Sequence, residues 1–214
     1  MLTLNALTRT FLRTSALTLA LSATLLTTAC APLLIGGAML GGTMVATDRR
    51  TSGTQLEDQG IEFKAAARVR EQLGDKAHIN INSYNRLALI TGEVNSEADR
   101  ERLTAIVSGV ENVSNVLNET AVTMNSSLGN RTNDTLIATK VKASLIEARD
   151  LVSSAFYVVV ERGTVYLMGR VSEREAKRAS DIARSVGGVK KVVRAFDIIS
   201  EEELARLTPK QAAK

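Results

Sequence analysis

Two stretches of the chain carry one pattern. Leu87-Ala88-Leu89-Ile90-Thr91-Gly92-Glu93-Val94 runs into Ser96-Glu97, and Thr164-Val165-Tyr166-Leu167-Met168-Gly169-Arg170-Val171 runs into Ser172-Glu173. A duplication of this kind limits the fold more than any bulk property, because both copies must satisfy one arrangement of buried and wetted positions. Downstream, Leu103, Ile106, Val110, Val113 and Val116 fall opposite Ala179, Ile182, Val186, Val189 and Val192. Upstream, matching the apolar stripes sets Val69 and Leu73 against Val141 and Leu145, which leaves about five extra residues before the first strand of the second copy.

Each copy shows the same succession of periodicities. Ala66, Val69 and Leu73, or Ile137, Val141 and Leu145, stand at helical spacing. Two short strands joined by a tight polar turn follow, Ile79 to Asn82 with Leu87 to Thr91 and Phe156 to Val160 with Thr164 to Met168. A second helix opens on Ser96-x-x-Asp99 or Ser172-x-x-Glu175, spacings that resemble capping boxes, and a last strand closes the unit. The order α-β-β-α-β in about 65 residues predicts an α+β unit: a three-stranded mixed sheet with two helices on one face, near the lower size limit for independent folding. The expected boundaries are 58–124 for the first unit and 131–199 for the second, with 125–130 as linker and 200–214 as a charged tail carrying one short helical turn. Off the core side, the first strand of copy one offers Asn80 and Asn82, expected to be wetted. Copy two offers Tyr157, Val159, Tyr166 and Met168, a face that predicts a cover, with the other unit as the candidate.

Composition removes several function classes. Aromatics at 3%, with no Trp, leave few stacking platforms, so nucleic acid is not an expected partner. One Cys and one His, Cys30 and His78, exclude a disulfide framework and the Cys/His zinc sets, so neither a metal nor a cofactor is expected. His78 has no nucleophile pattern around it and reads as a structural residue. The acid pairs Glu97/Asp99 and Glu173/Glu175 stand at helix starts, where the positive dipole end suffices to explain them. No catalytic residue emerges, and an enzyme is the weakest of the available readings.

The first 29 residues have the layout of a secretion signal: Arg9 and Arg13, an apolar run from Ala16 to Leu26, then Thr27-Thr28-Ala29 before Cys30. That run is about half of what a spanning helix needs. Small residues ahead of a lone cysteine resemble a lipobox, which implies lipidation of Cys30. Ala31, in place of the Asp typical of inner-membrane retention, implies the outer membrane with the protein on its periplasmic face. Residues 30–57 read as a tether, Gly-rich and apolar at first and polar from Asp48.

The paired units, each with Gly-x-Val before a capped helix and a closing strand, resemble two BON domains. The segment from Asn133 to Lys142 and the segment from Val171 to Lys177 carry the nearest likeness. Behind a lipobox, the pair resembles the dual-BON-domain outer-membrane lipoproteins associated with cell division and envelope stress. That resemblance implies a non-enzymatic protein that binds anionic phospholipid and supports envelope integrity.

Charge gives a separate argument. Residues 58–124 hold seven basic and ten acidic side chains, whereas 131–199 hold thirteen and eight. An anionic bilayer attracts nearby Lys or Arg at about 1 kcal/mol each, so the second unit is the one expected to face lipid. On its first helix, Leu136 and Thr139 lie off the buried stripe with Lys140 at its edge and Lys142 beyond. The resemblance makes these four the lipid-contacting residues. The alternative is a periplasmic scaffold whose surfaces bind envelope or division proteins, with lipid contact incidental.

Overall fold

The computed structural model describes residues 48–74, 78–124 and 126–207, so Cys30, the signal segment and the Gly-rich stretch lie outside the described residues. The first module comprises α1 (Ser52–Leu73), β1 (His78–Tyr84), β2 (Leu87–Val94), α2 (Glu97–Ser108), β3 (Asn115–Asn118) and β4 (Ala121–Val122). The second comprises α3 (Leu128–Glu147), β5 (Phe156–Glu161), β6 (Thr164–Val171), α4 (Glu173–Ser185) and β7 (Lys191–Ile198), followed by α5 (Glu201–Leu207). The expected α-β-β-α-β order and mixed sheets are present in both.

The central strand explains the mixture. β2 pairs antiparallel with β1 through a two-residue turn and parallel with β3 after the α2 crossover; β6 does the same with β5 and, after α4, with β7. In the first sheet the closing strand is broken: Asn118 Oδ1 accepts from the Thr120 amide at 3.1 Å and the chain resumes pairing with β2 as β4. A Cβ at Gly92 would lie 1.9 Å from the His78 carbonyl oxygen, and one at Gly169 would lie 2.3 Å from that of Ala155. The Gly-x-Val signature is thus a close strand approach that no side chain fits.

Alternation along the central strands separates two kinds of core. Ala88, Ile90 and Val94 meet Ile61, Ala65 and Val69 of α1 and Leu103, Ile106 and Val107 of α2. Val165, Leu167 and Val171 meet Ile137, Val141 and Leu145 of α3 and Ala176, Ala179 and Ala183 of α4. The opposite faces pack on each other: Tyr84 and Leu89 with Tyr166, Met168 and Ala195, and Leu117, Val159 and Val193 around them. The cover expected over the second sheet is therefore the first module's sheet, with Met168 fully buried and Tyr157 half-exposed but donating to Asn82 Oδ1 at 3.1 Å. Asn80 and Asn82, expected to be wetted, instead supply polar partners along this seam: Asn80 is exposed yet donates to Glu161 Oε2 at 3.0 Å.

Three expectations need correction. Residues 48–57, read as tether, are folded: Thr51 caps α1, Arg50 pairs with buried Asp58 at 2.7 Å, and Arg49 pairs with Glu175. Residues 126–130 are not a linker throughout, because the Ser127 hydroxyl accepts from the Asn130 amide and starts α3 at Leu128. The upstream alignment is also one helical turn out. Asp58 accepts from the amides of Asn85 and Arg86, and Asp134 accepts from those of Arg162 and Gly163, all at 2.8 Å. The true correspondence is therefore Asp58-x-x-Ile61 with Asp134-x-x-Ile137, which places Val69 opposite Leu145 and shrinks the five-residue insertion to one residue. These hairpin turns run through positive φ at Asn85, Arg86, Arg162 and Gly163, a conformation the carboxylates hold in place. An Asp134→Ala chain is expected to lose about 2 kcal/mol, at about 1 kcal/mol net for each of the two turn hydrogen bonds. Urea unfolding of that variant is the check, and an unchanged midpoint would dismiss the carboxylate as a turn clamp.

Candidate lipid-contact surface

Helix α3 carries its core stripe toward β5 and β6, and Asp134 anchors its first half to the β5–β6 turn. The opposite side is open. Leu136 is 55% exposed and Ile146 is 69% exposed, and Thr139, Lys140 and Lys142 are exposed as well. The two apolar side chains are separated by about 15 Å along the axis at the α-helical rise. Neither lysine forms an ion pair among the described residues, so both ammonium groups remain available to a second surface. Thr139 bonds back to the Thr135 carbonyl at 2.9 Å, which satisfies its hydroxyl within the helix. The four residues singled out in the sequence thus share the solvent side of one helix, and Ile146 extends that side. Ile146 directly follows Leu145 of the core stripe, and that one step of about 100° turns it from the core toward solvent.

The equivalent helix of the first module is built differently. α1 exposes Leu56 and Phe63, the latter to 78%, but Lys64 is taken by Glu111 at 2.6 Å and Arg68 donates to the Gly109 carbonyl. Glu57, Glu62 and Glu71 lie on the same helix. It is an apolar face in acidic surroundings, with its nearest lysine already engaged.

A second group of titratable side chains lies at one end of the seam. His78 Nδ1 is 3.1 Å from Glu93 Oε2, Arg162 Nη1 is 3.5 Å from Glu93 Oε1, and Glu161 stands close by on the facing sheet. Burial pushes the Glu161 carboxyl above the ordinary glutamate range; the Asn80 bond and His78 oppose this, while Glu93 and Asp134 add to it. At the other end Glu175, read as a simple cap, does more. Its amide and carboxylate complete a reciprocal box with Ser172, and it also receives Arg49 through both carboxylate oxygens. No helix among the described residues is long and apolar enough to cross a membrane.

Comparison with known proteins agrees with this architecture. The BON domain family matches residues 62–124 and 133–200, one match on each module. Outer membrane lipoprotein DolP of Haemophilus influenzae is 35% identical over 182 residues, covering 84% of this chain and 94% of that protein. The 21 kDa hemolysin of Actinobacillus pleuropneumoniae is 29% identical, covering 71% and 79% of the two chains. Osmotically-inducible protein Y of Escherichia coli is 31% identical, covering 71% and 77%. Two α-β-β-α-β modules, each matched by the BON family and together aligned over nearly the whole of a DolP protein, make this chain a member of the DolP family of dual-BON-domain proteins.

Proposed function

We propose that the protein is an outer-membrane lipoprotein, anchored through Cys30, whose second BON module binds anionic phospholipid through α3 and supports envelope integrity. The observation that carries this reading is the open side of α3, where Leu136 and Ile146 are exposed beside two lysines that form no ion pair among the described residues. An apolar side chain can enter the acyl boundary while a neighbouring ammonium stays among the phosphates. Leu136, Thr139, Lys140 and Lys142 are the proposed contacts.

Co-sedimentation with vesicles is the test. Freed of the lipid anchor at Cys30, the protein is expected to pellet with phosphatidylglycerol vesicles and not with phosphatidylcholine vesicles. Leu136→Glu is expected to abolish pelleting while its thermal transition stays within about a degree or two, since this side chain is exposed and stands outside the core cluster. Pelleting that survives Leu136→Glu would remove α3 from the account. The second reading, a scaffold for envelope or division proteins, draws on Leu56 and Phe63 of α1, whose acidic setting repels an anionic bilayer. It predicts vesicle binding that is weak and indifferent to both Leu136→Glu and headgroup charge.

A further inference from the structure

We infer that His78, Glu93 and Glu161 form a zinc-class divalent cation site that joins the two BON modules at one end of their seam. One ligand atom from each of the three lies within 4.8 Å of the others. His78 and Glu93 come from opposed positions on β1 and β2 of the first module, and Glu161 ends β5 of the second. Glu93 is fully buried and Glu161 is 6% exposed. Two buried carboxylates converge here on the His78 ring, with Arg162 as the flanking cation. Arg162 reaches only the Oε1 side of Glu93, at 3.5 Å, and among the described residues the bond to Glu161 comes from the neutral amide of Asn80. The nearby Asp134 is occupied by the turn amides of Arg162 and Gly163 and is not a free ligand. Two carboxylates buried this close together are costly even with these partners, and a divalent ion between them offsets that cost.

The donor set selects the class. One imidazole nitrogen and two carboxylate oxygens suit Zn²⁺, whereas Ca²⁺ and Mg²⁺ require oxygen cages. Zinc bonds of about 2.1 Å set tetrahedral ligand spacings of about 3.4 Å. The 3.1 Å approach of His78 Nδ1 to Glu93 Oε2 already lies near that spacing, so only Glu161 must swing inward. A cleft of about 270 Å³, lined by His78, Asn80 and Glu161, opens beside the triad and provides both an entry path and room for a water as fourth ligand. The outer contacts are in place: Arg162 on the second oxygen of Glu93, and Asn80 on Glu161. Composition concealed the site because its ligands are shared between the two copies, and neither copy alone holds more than two of them.

The full chain, purified in detergent and stripped with a chelator, is to be titrated with Co²⁺ and then Zn²⁺. The expected result is one ion per chain, visible d–d absorption with Co²⁺ that Zn²⁺ erases, and a higher thermal transition in Zn²⁺. His78→Ala and Glu161→Gln are each expected to weaken binding by at least about tenfold, the loss that even an outer-shell partner produces. Glu111→Gln, at an exposed carboxylate, serves as the unaffected control. Glu161→Gln removes a buried charge, so its metal-free transition should match or exceed the parent's, which separates lost ligation from lost folding. Absence of stoichiometric binding, or binding unchanged in both variants, would overturn the site.

Discussion

A Gly92→Ala chain is expected to be about 4 kcal/mol less stable than the parent, at the upper end of single-substitution effects. The backbone there has φ +112°, a region where a side chain is strained, and the added Cβ would lie 1.9 Å from the His78 carbonyl oxygen. That oxygen belongs to the strand paired with Gly92 through Ile79, so it cannot retreat without opening the β1–β2 ladder. Strain of about 1–3 kcal/mol and the displaced ladder bonds, each about 1 kcal/mol, combine to the expected loss. Gly169→Ala should behave alike, because its Cβ would lie 2.3 Å from the Ala155 carbonyl oxygen. At Gly60, on α1, an added Cβ would meet nothing within 4 Å, and Gly60→Ala should stabilise by about 0.5–1 kcal/mol through helix propensity. Urea midpoints of the three variants form the test. If Gly92→Ala unfolds within about 1 kcal/mol of the parent, the close approach is not what the glycine serves.

The same glycines mark where the sequence was most readable. Alternation along Leu87–Val94 and Thr164–Val171 announced both central strands, and the serines at 96 and 172 announced the helices after them, because period and capping chemistry are local. The helix register upstream was not recoverable from apolar spacing. A shift of four residues maps one buried stripe onto the next, so Val69 matches Val141 as well as Leu145 by hydrophobicity alone. What breaks the degeneracy is a polar residue, the aspartate at 58 and 134 that holds the following hairpin turn. Its signal was present as Asp-x-x-Ile in both copies. The seam was half legible: Tyr166 and Met168 demanded a cover, but the matching face of the first module looked wetted because Asn80 and Asn82 bond across it. On α3 the exposed positions followed directly from helical geometry.

The other large effect is expected at Arg49, in a segment whose composition reads as a tether. Its guanidinium donates to Glu175 Oε2 at 2.7 Å and Oε1 at 2.9 Å, and to the Arg170 carbonyl at 2.9 Å. Both side chains are buried, so Arg49→Ala leaves a buried carboxylate with the Ser172 amide bond and the nearby Arg174 charge in place of a bidentate partner. Removing one partner of such a pair costs about 3 kcal/mol. Burial alone would raise the Glu175 pKa, yet the Arg49 bonds, the Ser172 amide and the Arg49 charge outweigh it and hold the group below the ordinary glutamate range. A depressed folded-state pKa contributes stability that is complete above the unfolded value and is lost as pH falls through the folded one. The gap between parent and Arg49→Ala is therefore expected to be widest at neutral pH and to close in acid, as Glu175 takes up a proton in both chains. Urea unfolding across that range decides the matter: a gap that persists unchanged in acid would trace the loss to packing of the arginine stem. Because Arg49 precedes the first module while Glu175 belongs to the second, closing of the gap would also identify this ion pair as the tie between the segment ahead of α1 and the second module.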